Sequence, residues 1–272
     1  MTTTDTTTTT EPGERLVETW NGEVTLRVRV AGSGPPLVYL HAAGGLVWDP
    51  FLARLAEDWT VYAPEFPGTT PGDPYAVHAI DGVWDAVLIY EQALRALGLS
   101  DVPLIGQSFG GMLAAELAAA YPAMFSRLVL LDPVGLWLDD APVSNWVAAA
   151  PPELVAMLFH DPSGEAARKL LELPEDPGER AAAQAAMVWN LGATAKLCWP
   201  VPDRGLHRRL HRVTAPTLIV WGEQDTLIPP LYAEEFRRRI ADSRVAIVPG
   251  AGHVPQMEQT AETLRVVRGF LT

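Results

Sequence analysis

The 272-residue chain contains one cysteine, Cys198, which excludes an intrachain disulfide and any zinc site built from several thiolates. Basic residues are also few: 20 Lys and Arg stand against 33 Asp and Glu, a net charge of −13. Such a chain lacks the basic face that phosphate backbones and anionic lipid surfaces require, so neither nucleic acid nor membrane is expected as a partner. No apolar run reaches the roughly 18 residues of a membrane helix, because Ala-rich stretches such as AAELAAAYP are broken by Glu or Pro. The amino-terminal MTTTDTTTTTEPGE has no basic n-region and no apolar h-region, and residues 1–14 are expected to form a flexible tail. These absences lead to the expectation of a soluble, cytoplasmic protein. No phosphate-binding loop is present, and Gly32-Ser33-Gly34 precedes an apolar run where a dinucleotide fingerprint would follow one. His207 and His211 have metal-ligand spacing, yet HRRLH lacks the glutamate of a zinc-protease helix and is crowded by arginine. Neither a metal nor any other cofactor is expected.

What is present is an apolar fraction of 48% with 19% charged residues, the balance of a globular chain with a large core. This length suits one domain plus an inserted element. Alternating segments near Arg15–Trp20 and Val24–Val30, joined by Asn21-Gly22, read as an antiparallel hairpin. Short continuous apolar runs follow at Pro36–Leu40, Thr60–Ala63, Val102–Ile105, Leu128–Leu131, Thr217–Trp221 and Val245–Val248, the pattern of parallel strands covered on both faces. Segments of helical period separate them, Ile80–Leu97 most clearly, with Ile80, Val83, Trp84, Val87, Leu88, Leu94 and Leu97 expected on one face. The fold class is therefore α/β, a mostly parallel central sheet with helices on both faces. Between Leu131 and Thr217 the alternation stops. The aromatic residues there, including Trp137, Trp146 and Trp189, are too many for a solvated loop, so residues 136–205 are expected to form a helical cap inserted into a core of residues 15–135 and 206–272.

Gly106-Gln107-Ser108-Phe109-Gly110 lies where the run VPLIG turns into a helical segment, the context in which G-x-S-x-G exposes a serine hydroxyl above a sheet. Serine is a weak nucleophile near neutral pH and needs a base oriented by a third group. His253, in the Gly-rich loop PGAGHVP after the apolar run VAIV, stands at a strand's carboxyl end and is the expected base. Where a serine is carried on such a turn the acid precedes the histidine in the chain, and Asp225, in WGEQD after TLIVWG, fits.

GQSFGG, WGEQD and GAGHVPQMEQ at these separations resemble the α/β-hydrolase superfamily, in the cap-bearing branch that includes esterases, lactonases and carbon–carbon hydrolases of ring-cleavage products. The resemblance runs from Gly34 to Leu271 and implies Ser108 as nucleophile, Asp225 as acid and His253 as base. Some members place the acid where Asp132 stands, in LLDPVG, so Asp132 is the competing candidate. The family's oxyanion hole implies the backbone N–H groups of Phe109 and Ala43. The segment LHAAGG departs from the usual His-Gly-X by having Ala42 in the Gly position, and APEFPG has Glu65 where Asp is frequent, read as a surface carboxylate. His41, Ala42, Trp137, Trp146 and Trp189 are expected around a small-molecule substrate.

The activity so implied is hydrolysis of an ester or lactone of a medium-sized apolar molecule. One rival is carbon–carbon hydrolysis of a vinylogous diketone acid, for which Arg168 or Lys196 would have to face the substrate carboxylate. The others are a ligand-binding receptor and a non-hydrolytic biosynthetic enzyme on the same fold.

Overall fold

The computed structural model describes residues 12–272. Residues 1–11 of the expected tail lie outside them, whereas Gly13 and Glu14 already belong to the first strand. Strand β1 (Gly13–Thr19) pairs antiparallel with β2 (Val24–Ala31). Asn21 (φ 55°) and Gly22 (φ 90°) supply the left-handed angles that reverse the chain between them. Six further strands follow: β3 (Pro36–Leu40), β4 (Thr60–Pro64), β5 (Val102–Gln107), β6 (Phe125–Leu131), β7 (Thr217–Gly222) and β8 (Ser243–Val248). All six apolar runs of the sequence are strands. The sheet order is β1-β2-β4-β3-β5-β6-β7-β8, antiparallel across β1, β2 and β4 and parallel from β4 to β8.

Helices cover both faces. On one side α1 (Pro50–Leu55) and the carboxyl-terminal α9 (Thr260–Leu271) place Phe51, Leu52, Leu264 and Val267 against Leu37, Val129 and Val220 of the strands. On the other, α2 (Val83–Ala96) and α3 (Phe109–Ala120) cover Val38, Leu104 and Leu128. Helix α2 starts later than its periodicity suggests, because the Asp85 carboxylate accepts the N–H groups of Asp81 and Gly82 and fixes the first turn there. Its buried residues are Ala86, Val87, Ile89, Tyr90, Ala93 and Leu94. The expectation that Trp84 and Leu88 join them fails, since Trp84 is 54% and Leu88 43% exposed. Trp84 instead carries the Arg209 guanidinium over its ring, 5.9 Å from the centroid.

Between β6 and β7 come α4 (Pro151–Leu158), α5 (Glu165–Leu170) and α6 (Pro177–Cys198). Asp176 caps α6 by accepting from the N–H groups of Gly178 and Glu179, with Pro177 in the first turn. Trp146 is buried edge-to-face against Trp199, centroids 5.9 Å apart. The chain re-enters the sheet through Arg209, which makes a two-pronged ion pair of 2.6 and 2.7 Å with the buried Glu116 of α3. Two short helices, α7 (Tyr232–Arg237) and α8 (Pro255–Glu258), complete the set. Among the described residues no helix is long and apolar enough to cross a membrane. Cys198 is buried at the end of α6, and burial pushes its thiol up to about 12, so it is no nucleophile near neutral pH.

Candidate active site

The carboxyl ends of β5, β7 and β8 bring Ser108, Asp225 and His253 together. Ser108 has φ 53° and ψ −114°, a left-handed strain for a residue with a Cβ. The turn holds it there: its N–H donates to Leu131 O (2.9 Å), and its carbonyl accepts from Met112 N (3.1 Å) and Val134 N (3.2 Å). The motif's glycines are required by close approach. A Cβ on Gly106 would lie 2.3 Å from Gly110 O, and one on Gly110 would lie 2.2 Å from Leu40 O.

His253 Nε2 is 2.8 Å from Ser108 Oγ, and its Nδ1 is 2.8 Å from Asp225 Oδ2. A carboxylate only accepts, so Nδ1 carries the hydrogen and Nε2 is left free to accept the serine proton. The other oxygen, Asp225 Oδ1, accepts from the N–H groups of Leu227 and Ile228, each at 2.9 Å. The imidazole loop is pinned from two sides. Gln107 Nε2 donates to His253 O (3.1 Å), and His253 N–H donates to Leu158 O of α4 (2.8 Å). All three side chains are nearly enclosed, at 8, 4 and 2% exposure for Ser108, Asp225 and His253.

Asp132 does not contact the imidazole as Asp225 does. Its Oδ1 accepts from Gly222 N–H of β7 (2.8 Å), yet the carboxyl stands beside the relay, with oxygens of Asp132 and Asp225 and a nitrogen of His253 within 4.8 Å of one another. This is the one convergence of potential metal ligands found among the described residues. The 2.8 Å between His253 and Asp225 is the length of a hydrogen bond.

The relay opens into a cavity of about 420 Å³ beneath α4, α5 and α6. Ala42, Ala43, Phe109 and Trp146 line it. His41 also lines it, but both its ring nitrogens are committed to backbone: Nδ1 to Ala42 O (2.7 Å) and Nε2 to the N–H of Phe66 (2.9 Å). Burial lowers its basicity, so it is a neutral brace for the loop after β3. Trp137 and Trp189 stand elsewhere. Trp137 turns outward to Asp139, and Trp189 donates to Pro74 O and packs edge-to-face on Tyr75 at the outer surface. Glu65 is no surface carboxylate: it is 5% exposed and grips Arg27 at 2.8 and 2.9 Å. His207 pairs with Asp203 at 2.6 Å and His211 is exposed, so the two do not converge.

Several lining residues escape the motif reading. Leu154 and Leu158 on α4, and Met187 and Leu191 on α6, face the cavity, and their four-residue spacing is the signal that could have found them. Asp49, also in the lining, caps α1 by accepting from Leu52 N–H (2.9 Å) ahead of Pro50, a helix-start signature in the sequence. Burial pushes its carboxyl up to about 7.

A serine on a strand-to-helix turn, with histidine and aspartate from later strand ends, defines a class of hydrolases by architecture. The chain belongs to the α/β-hydrolase fold family, whose sequence model matches residues 35–260. It is 27% identical to Lipase 1 of Psychrobacter immobilis, over 95% of this chain and 82% of that one. It is 25% identical to 2-hydroxy-6-oxo-6-phenylhexa-2,4-dienoate hydrolase of Comamonas testosteroni, over 89% of each chain. Among solved structures, naproxen esterase of Bacillus subtilis superposes with a TM-score of 0.75 at 21% identity, over 96% of this chain and 92% of that one.

Proposed function

We propose that the protein is a serine hydrolase that cleaves an uncharged ester or lactone of a medium-sized apolar molecule through an acyl-enzyme on Ser108. The carrying observation is the Ser108–His253–Asp225 relay, with two bonds of 2.8 Å, opening into an apolar cavity. Ser108 Oγ attacks the carbonyl carbon as His253 Nε2 takes its proton, and Asp225 stabilises the imidazolium. Charge then develops on the carbonyl oxygen. Phe109 is the first residue of α3, where backbone N–H groups have no partner within the helix, and its N–H with that of Ala43 serves as the oxyanion donor pair. His253 returns its proton to the leaving alkoxide, and water activated by the same nitrogen attacks the acyl carbon and releases the acid.

The cavity lining favours a neutral substrate over a carboxylate. Beyond the relay its ionisable side chains are His41, Tyr39, Asp49 and Glu172, and neither Arg nor Lys is among them. A dienoate would meet acidic groups and no counter-ion. The two cations that could have served are engaged elsewhere: Arg168 donates to Ser163 O, and Lys196 reaches Val77 O and Asp81. The reading therefore separates this chain's substrate from that named for the Comamonas relative.

A fluorophosphonate probe tests the nucleophile, and a panel of neutral aryl esters, lactones and diketone acids tests the class. Ser108 should be the only labelled residue, Ser108→Ala should lose labelling and turnover together, and neutral esters should exceed the acids. An unlabelled Ser108 beside a labelled control hydrolase overturns the nucleophile and favours a receptor. Turnover of the acids alone overturns the substrate class.

A further inference from the structure

Asp132 is fully buried, and its backbone has φ 44°, a left-handed conformation that a non-glycine residue adopts only when its surroundings fix it. The chain there is tied on both sides: Asp132 N–H donates to Val220 O of β7 (3.0 Å), and Val134 N–H donates to Ser108 O (3.2 Å). One carboxyl oxygen takes the Gly222 N–H, and the other has no hydrogen-bond donor within reach. What it faces is another acid. Carboxyl oxygens of Asp132 and Asp225 and a ring nitrogen of His253 lie within 4.8 Å of one another, and Glu258 of α8 adds further negative charge.

Two buried carboxyls at this separation do not both ionise, and the proton goes to the one with fewer donors. Asp225 has three: Leu227 N–H, Ile228 N–H and His253 Nδ1–H. Asp132 has one. An ionised Asp132 would leave an anionic oxygen facing a second anion with nothing to satisfy it.

We propose that Asp132 is a positioning residue whose carboxyl keeps its proton and donates it to the Asp225 carboxylate, fixing the acid of the relay toward His253. Gly222 N–H orients the carboxyl from behind, and the O–H closes the contact in front. Burial, then the neighbouring Asp225 charge, raise the Asp132 carboxyl well above the usual carboxylate range, with the Gly222 N–H pulling the other way. While Asp132 is neutral, the imidazolium formed in turnover is stabilised by Asp225 alone. When Asp132 ionises at alkaline pH its O–H is lost and two like charges face each other, so the Asp225 carboxylate is no longer held toward His253 and wild-type activity has an alkaline limb.

The kinetic part rests on the serine-hydrolase reading, and the spectroscopic part does not. Infrared difference spectra of the Ser108→Ala protein with and without Asp132→Asn, at neutral pH, should show a protonated-carboxyl band that the asparagine removes. In the Ser108 background, Asp132→Leu should lower kcat about 10- to 100-fold with KM little changed, the loss of one hydrogen bond to a charged group. Asp132→Asn, whose amide oxygen can accept from Gly222 and whose NH₂ can donate to Asp225, should restore most of that loss and abolish the alkaline limb. Absence of the band overturns the proposal even if no ester is turned over. A kcat loss for Asp132→Asn as large as that for Asp132→Leu overturns it too, because it would show that the charge of Asp132 is what matters.

Discussion

Replacing Asp225 by asparagine changes one atom, and the structure dictates how the new side chain must sit. Asp225 Oδ1 accepts two backbone N–H bonds, from Leu227 and Ile228, each 2.9 Å. An amide nitrogen placed there would face two donors, so the asparagine keeps its carbonyl oxygen at Oδ1 and presents its NH₂ to His253 Nδ1. That nitrogen must then accept, which moves the imidazole hydrogen to Nε2, where Ser108 Oγ waits at 2.8 Å. In that tautomer the ring cannot take the serine proton. The expected result is a fall in kcat of about 10⁴ with KM little changed, or roughly 5 kcal/mol of transition-state stabilisation. Stability should alter little, because both Oδ1 bonds survive. The measurement is kcat and KM on an activated neutral ester beside the rate of fluorophosphonate labelling, with a thermal melt to show folding. A folded Asp225→Asn protein that loses less than tenfold would refute the reasoning and point to Asp132, the carboxyl next in reach, as the group that holds the imidazole.

Gly110→Ala forces a Cβ to within 2.2 Å of Leu40 O and 2.6 Å of His41 O, rigid backbone atoms, and should cost about 1–3 kcal/mol or more. Gly269→Ala in exposed helix α9 meets nothing within 4 Å and should stabilise by roughly 0.5–1 kcal/mol; equal Tm values for the two would sink the close-packing account. Asp49 has its carboxyl pushed up to about 7 by burial, against about 4 in an unfolded chain. The folded state therefore binds the proton more tightly, and this contribution to stability is full below pH 4 and lost as pH rises toward 7, about 4 kcal/mol in all. Asp49→Asn retains the helix cap and should flatten that slope in urea titrations between pH 4 and 8; an unchanged slope would show that the carboxyl is not the group responsible.

The sheet was legible because strands covered on both faces leave an unmistakable pattern of short apolar runs, and all six became strands within a few residues. The relay was legible because each member lies just past such a strand, where topology decides proximity and distance along the chain does not. What failed was the sorting of aromatic side chains into core and surface. Helical period alone puts Trp84 on the buried stripe of α2, yet the buried residues run from Ala86 to Leu94, and cation–π contact with Arg209 gives the ring a place outside. Composition places Trp137 and Trp189 near a cavity, yet composition carries no direction. Their indole N–H groups find acceptors at Asp139 and Pro74, and those acceptors lie on outward faces. Glu65 departs from its sequence expectation for the opposite reason. A lone carboxylate reads as solvated unless its partner is known, and Arg27 is 38 residues away, on β2 beside β4.

Two of the places where the helices between β6 and β7 are fastened flank Ser108 and His253. On one flank, Asn190 of α6 donates to Gly44 O (3.0 Å), and Thr194 Oγ1, whose hydrogen has a nearer acceptor in Asn190 O (2.9 Å), packs 3.2 Å from Ala43 O in the loop that carries the Ala43 N–H. On the other, Leu158 at the end of α4 accepts from His253 N–H, and the Glu258 carboxylate gathers the N–H groups of His160, Asp161 and Gly252 into one knot. The ceiling of the cavity and the floor that holds the relay are thus joined on either side of Ser108. Through these hydrogen bonds a substitution that tilts α4 or α6 is expected to displace the His253 loop or the Ala43 loop as well. On the proposed serine-hydrolase reading, substitutions of Leu154 or Leu158 in the apolar ceiling should therefore change kcat as well as KM; a change confined to KM would refute the coupling.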